Sequence, residues 1–197
     1  MKTFRLAFLG FGNVGKALAR LFLNKRAELR EKYGVEFIVT GIATGRHGVA
    51  INPKGLDVEA ALVAQDLSAL SQAVLPQDEN DFVRRCGADV LFESIPVNYQ
   101  SGQTALDALR TSLENGMHVV TANKGPVIHG YEELSRLATT KGRKFFFEAT
   151  VMDGAPIFSL FRGALPGANL KSFYGVLNST TNMILSLMEY GNTFEQA

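Results

Sequence analysis

Three glycines and a lysine near the N-terminus carry the first chemical signal in this chain. In the stretch GFGNVGKA, Gly10, Gly12 and Gly15 fall at the spacing G-x-G-x-x-G of a dinucleotide-binding turn, while Gly10, Gly15 and Lys16 satisfy most of the triphosphate loop G-x-x-x-x-G-K-[ST]. Ala17 separates the two, because it stands where a triphosphate loop needs a hydroxyl to ligate magnesium. Read as a dinucleotide loop, Gly10 permits the tight turn, Gly12 lets backbone amides approach a pyrophosphate, and Gly15 lets a helix pack closely on a strand. Phe11, Asn13 and Val14 complete the loop, and the free N–H groups of a helix beginning there suit an anion.

The end of the second strand bears on which dinucleotide is held. An NAD site places Asp or Glu there for the ribose hydroxyls, whereas an NADP site carries small residues and an arginine for the 2′-phosphate. VEFIVTGIA runs into Thr44, Gly45, Arg46 and His47, with no acid. Arg46 can take a phosphate in bidentate geometry and His47 can add a second donor, so NADP is favoured over NAD. A solvated loop arginine would look the same in sequence.

Three further stretches put polar residues at strand ends, where open α/β sheets hold their ligands. ESIP carries Glu93 and Ser94, TANKGP carries Thr121, Asn123 and Lys124, and FEATVMDGAP carries Glu148 and Asp153; all are expected to border one crevice. A lysine beside a nicotinamide can hold a carbonyl or hydroxyl oxygen as charge develops on it, which makes Lys124 the catalytic candidate. Glu148 with nearby carbonyls could bind a hard cation, and it could equally cap a helix. His118 and His129 read as structural residues opening a strand and a helix.

The elements that must position these residues alternate strand and helix over about 150 residues, the pattern of a doubly wound parallel sheet covered on both faces. Strands are expected at the N-terminus, at Val35 to Ala43, Ala88 to Ile95, MHVVTAN and RKFFFEAT. Helices are expected after Gly12, from about Leu56 to Val74, over SGQTALDALRTSLENG and over YEELSRLATTKG. From Val151 the character changes, with a helix, a strand near Lys171 to Leu177 and a helix after Asn178. Residues 1–150 thus form a first domain, and 151–197 begin a second, α+β one.

With 197 residues, 46% of them hydrophobic, the chain can bury a core. Its 20 basic and 19 acidic residues leave no basic face for nucleic acid or an anionic membrane. No apolar run reaches the roughly 18 residues of a membrane helix, and the N-terminus enters a strand without a signal cleavage site, so a cytoplasmic setting is expected. The single cysteine, Cys86, lies at a helix end and reads as a reduced packing residue.

The segments GFGNVGKAL, HVVTANKGPV, FEATVMDGAPI and GVLNSTTNMIL, in this order, resemble the homoserine dehydrogenase family over nearly the whole chain. The resemblance implies a Rossmann-like first domain, followed by the start of a substrate-binding and dimerisation domain. It also implies NAD(P)-dependent interconversion of L-homoserine and L-aspartate 4-semialdehyde, an amino-acid substrate, and a homodimer in the intact enzyme. Lys124 would lie at the nicotinamide and substrate side, with Ser94 on the cofactor and Thr180, framed by Asn178 and Thr181, on the substrate. A monovalent cation would be held by Glu148 and the carbonyls of Val151, Asp153 and Ala155. Two departures stand out: Ser179 replaces a common glycine, and VMDGAP replaces a glycine-rich spelling. The family's proton-transfer lysine and acidic substrate contacts have no match here, which implies an N-terminal portion of the enzyme. Two alternatives remain: a dinucleotide-binding regulatory module without catalysis, and an oxidoreductase of similar build acting on another substrate.

Overall fold

The computed structural model describes every residue except Asp153 and Pro166. The chain divides into two compact units, Met1–Phe147 and Glu148–Ala197.

The first unit is built on a six-stranded sheet of order β3-β2-β1-β4-β5-β6. Its strands are β1 (Lys2–Leu9), β2 (Val35–Ala43), β3 (Val49–Ile51), β4 (Val90–Glu93), β5 (His118–Thr121) and β6 (Phe145–Phe146). Every neighbouring pair is parallel except β2 and β3. β1 is central, and its C-terminal half Leu6, Ala7, Phe8 and Leu9 is buried, as a run covered on both faces must be. The chain leaves β1 to one side for β2 and to the other for β4, so the direction of winding reverses at β1, beside the glycine loop.

Helices α1 (Asn13–Asn24) and α2 (Arg26–Tyr33) follow β1, and α3 (Val58–Val63) and α4 (Glu79–Arg85) separate β3 from β4. α5 (Ala105–Glu114) leads into β5, and α6 (Lys124–Thr140) joins β5 to β6. Phe8, Phe11, Phe37, Ala19 and Ile42 meet in one apolar core between sheet and helices. Cys86 fits the packing role expected of it, fully buried against Gly41, with burial pushing its thiol up to about 11.

The expected helix from Leu56 to Val74 is a correction. α3 is short, and Ser68–Leu70 forms only a turn of 3-10 helix. Asp66 captures the Ser68 amide and hydroxyl locally, which competes with helix continuation, and the Gln72 amide then donates to the Ile51 carbonyl along the sheet edge. No strand is expected from the sequence at β3, where a tight turn closed by Thr44 and Gly48 returns the chain antiparallel to β2. α6 starts at Lys124, seven residues before the expected Tyr131, so His129 lies inside it instead of opening it.

The second unit holds the short α7 (Ile157–Ser159), a single π-helical turn at Leu160–Ala164, and α8 (Ser179–Glu189). The strand expected near Lys171 to Leu177 does not form; the segment is irregular and its side chains are almost all exposed. A strand needs a neighbour to take its N–H and C=O groups, and among the described residues this segment has none.

Candidate functional site

The site grows from the turn between β1 and α1. Gly10 has φ +94°, and a Cβ there would lie 2.6 Å from the Ser94 carbonyl carbon. A Cβ on Gly15 would lie 2.5 Å from the Gly10 carbonyl oxygen. Both glycines are therefore demanded by the protein's own backbone. Gly12 is different, since a Cβ on it would meet nothing within 4 Å. That open space faces the start of α1, where Gly12 is the N-cap, no side chain caps the helix and no acid occupies the first turn. The first amides of α1 are thus left to an outside acceptor.

Ser94 stitches β4 to this loop, its amide donating to the Leu9 carbonyl (2.8 Å) and its hydroxyl to the Gly10 carbonyl (3.2 Å). Beside the loop a cavity of about 240 Å³ opens between the ends of β1 and β2 and the start of α4. Its apolar walls come from Leu9, Ala43, Pro76, Phe82 and Ile95, the lining that suits a flat aromatic base. Sequence reasoning missed this cavity because it placed no helix start after Val74; the sign was Pro76 followed by Asp78, which caps α4 by accepting from the Asp81 amide.

At the end of β2, Arg46 is exposed, with no carboxylate partner among the described residues. His47 is tied down: its amide donates to the Thr44 hydroxyl (2.7 Å) and its Nδ1 lies 2.9 Å from the Gln65 carbonyl. A carbonyl only accepts, so Nδ1 carries the proton directed at Gln65, and Nε2 is the ring nitrogen left for another partner.

The ends of β4 and β5 converge on Glu93, which is only 2% exposed. Its Oε1 accepts from the Ile95 amide (2.8 Å) and from Asn123 Nδ2 (3.3 Å), and its Oε2 from the Thr121 hydroxyl. The Thr121 hydroxyl in turn accepts from the Asn123 amide (2.9 Å). Burial pushes the Glu93 carboxyl above its usual range, and the three donors pull it back. Asn123 also caps α6, its Oδ1 accepting from the Gly125 amide at 3.0 Å. Lys124, the first residue of α6, is half-buried beside this network and has no acidic partner among the described residues.

Glu148 belongs to the second unit, where it acts as a helix cap. Its oxygens accept from the Phe158 amide (2.8 Å), the Ser159 amide (3.0 Å) and the Ser159 hydroxyl (2.6 Å), and these bonds hold its carboxyl below the usual range. The Ala155 carbonyl accepts from the Ile157 amide, Val151 is half-buried, and Asp153 lies outside the described residues. Asn178 caps α8 through the Thr181 amide (3.0 Å), with Thr180 and Thr181 exposed on its first turn. Ser179 needs no positive φ, so the loss of glycine there carries no strain.

The histidines are structural in this arrangement: His118 Nδ1 accepts from the Lys144 amide and His129 Nε2 faces the Tyr99 carbonyl. Among the described residues, no helix is long and apolar enough to cross a membrane.

A family model described as "Homoserine dehydrogenase, NAD binding domain" matches residues 10–148, and a second, "Homoserine dehydrogenase", matches 156–197. The chain is 36% identical over 203 residues to an NAD(+)-dependent homoserine dehydrogenase of Pseudomonas canavaninivorans, covering all of this chain and 57% of the relative. It is 36% identical over 197 residues to a homoserine dehydrogenase of Methanocaldococcus jannaschii, covering 98% of this chain and 58% of that protein. Among solved structures, a hyperthermophilic archaeal homoserine dehydrogenase in complex with NADPH superposes with a TM-score of 0.82 at 30% identity, over 98% of this chain and 59% of that one. The chain spans somewhat more than half the length of these relatives. It belongs to the homoserine dehydrogenase family.

Proposed function

We propose that this chain binds NADP or NAD at the glycine loop and serves the reversible oxidation of L-homoserine to L-aspartate 4-semialdehyde. The observation that carries this reading is Gly12. Its missing Cβ relieves no contact inside the protein, yet it opens the approach to the uncapped amides of α1. A pyrophosphate fits that cradle, a base fits between the apolar walls Leu9, Ala43, Phe82 and Ile95 of the neighbouring cavity, and Arg46 favours the phosphorylated cofactor. Residues 1–150 act as the cofactor domain and 151–197 open the substrate domain.

The nicotinamide, when bound, supplies the two-electron chemistry by accepting or returning hydride at the substrate carbon. The chain's own part is electrostatic. Lys124, held at the head of α6 by the Asn123 cap, offers its ammonium to the oxygen whose carbonyl forms or disappears. Asn178, Thr180 and Thr181 offer an amide and two hydroxyls to an amino-acid substrate. A monovalent cation goes with the same reading: Glu148 uses three of the about four acceptor sites of a carboxylate, leaving one for a cation shared with the carbonyls of Val151, Asp153 and Ala155. A homodimer and a cytoplasmic setting complete the proposal.

Fluorescence titration with NADPH and NADH, followed by an assay of homoserine-dependent NADP reduction on the same sample, tests it. Tight binding of either dinucleotide is expected, and binding of neither removes the reading. Binding without turnover leaves a dinucleotide-binding module. In a preparation with turnover, Lys124→Ala is expected to lower kcat far more than cofactor affinity, and an unchanged kcat would remove the lysine from the chemistry.

A further inference from the structure

Glu93, at the end of β4, is a buried carboxyl for which the chemistry above has no task. It is 2% exposed, and its neighbours Thr121 and Asn123 are 2% and 5% exposed. Burying a carboxyl is costly, and a side chain that only filled this space would do so without charge. What the carboxyl does is face three donors: the Ile95 amide after β4, the Thr121 hydroxyl on β5 and the Asn123 side chain beyond it. Asn123 Nδ2 also lies 3.3 Å from the Ile95 carbonyl, so the loops leaving β4 and β5 are tied together at this point.

A carboxylate only accepts, so it fixes which way the Asn123 amide faces. With Nδ2 toward Glu93, Oδ1 is left pointing at the Gly125 amide, and that bond is the cap of α6. Thr121 Oγ1, its own proton directed at Glu93, accepts from the Asn123 backbone amide and holds the same residue from the other side. The first turn of α6 then sits against the loop leaving β4, where a Cβ on Gly125 would lie 2.9 Å from Gly102 Cα and 3.0 Å from the Asn98 carbonyl oxygen. Lys124 is the residue between the cap and this contact. We propose that Glu93 is a positioning residue, which sets the place of Lys124 by dictating the orientation of the Asn123 amide. This rests on the reading of Lys124 as the group that meets the reacting oxygen, and it names what holds the lysine there.

The test compares the native full chain with Glu93→Gln, Thr121→Val and Thr121→Ser. The readout is trace acetylation by acetic anhydride, with Lys124 counted by peptide mass spectrometry against Lys141, which is exposed at the other end of α6. Glutamine presents a donor as well as an acceptor to Asn123, so both amide orientations become available and the cap is weakened. The ratio of Lys124 to Lys141 is expected to rise about fivefold, the change that goes with losing one helix cap. Thr121→Val keeps a β-branched residue in the strand but leaves the Asn123 amide without its acceptor, and should raise the ratio likewise; Thr121→Ser should return it to the native value. In a preparation with turnover, kcat is expected to fall by a similar factor while KM for NADPH stays within about twofold. A group that only stabilised the fold would move the melting temperature and leave the ratio unchanged well below it, which would overturn the proposal. A serine variant that behaves like the valine one would overturn it as well. NADPH is expected to shield Lys124 in the native chain. The absence of shielding would overturn the cofactor reading, while the ratio measured without cofactor still decides the role of Glu93.

Discussion

At the scale of single residues, the three glycines of one motif answer to different forces, and substitution should separate them. Gly15→Ala drives a methyl into the Gly10 carbonyl and should cost about 3 kcal/mol of stability, an overpacking penalty against backbone that cannot step aside. Gly12→Ala has φ −80° and free space, so the melting temperature should hold while dinucleotide affinity falls about tenfold or more. Equal melting losses in the two variants would contradict this division. Glu93 makes a second prediction at this scale. Its folded-state pKa lies above 4.5, so as pH rises past 4.5 the unfolded chain loses this proton before the folded one, and stability falls until the folded carboxyl ionises as well. Glu93→Gln has no such proton. The variant's melting temperature should therefore gain on the native protein between pH 4.5 and neutrality, by about 3 °C for each kcal/mol recovered. Glu36, Glu133 and Glu148, whose depressed pKa values act in the opposite direction, are common to both proteins and cancel in the difference. A gap that does not change with pH would show that Glu93 titrates alike in folded and unfolded chains.

At the scale of elements, Asn123 shows why part of the site was legible in sequence and part was not. The motif TANKGP marks a strand end and a turn residue before a lysine, and both are local properties of the chain. That Asn123 would cap a helix beginning at Lys124 was hidden, because Gly125, Pro126 and Gly130 look like breakers; α6 absorbs them with non-helical dihedrals at Gly130, where the helix kinks. β3 escaped for a similar reason, as three residues beyond a turn carry no period to read. The parallel strands were visible as apolar runs, since burial on both faces writes itself into consecutive residues. The strand near Lys171 to Leu177 shows the converse. Its residues have strand propensity, but pairing is a property of a neighbour and not of the segment. Asn123 also joins two elements, accepting from the Gly125 amide on one side and donating to Glu93 on the other. Asn123→Asp keeps the cap and replaces the donor with an acceptor facing a carboxylate. If the cap alone mattered, aspartate would serve as well as asparagine. The expected result is a loss of about 2 kcal/mol at neutral pH that shrinks as pH falls, read from melting curves.

At the scale of the whole molecule, the two units bury very different shares of their side chains. Phe8, Phe82, Ile42, Leu91, Leu109 and Leu134 in the first unit are essentially without exposure, whereas α7 and α8 contain no buried residue. Phe173, Tyr174, Met183, Leu185 and Phe194 all stand more than half exposed in the second unit. Local opening is cheap where few apolar contacts must be broken, so protection against hydrogen exchange should follow this division. Amides of β1, β2, β4 and β5 are expected to exchange only through global unfolding, with their stability rising when a dinucleotide is added in excess of its Kd. Amides of α8 are expected to exchange orders of magnitude faster and to be indifferent to the dinucleotide, because an 11-residue helix with an exposed apolar face is marginal by itself. The measurement is exchange followed by mass spectrometry at two protein concentrations. Slow exchange in α8 that appears only at the higher concentration would mean that association between copies covers the apolar side chains, as the proposed homodimer requires. Slow exchange at both concentrations would mean that α8 draws stability from within its own chain, and the account of an unsupported second unit would fall.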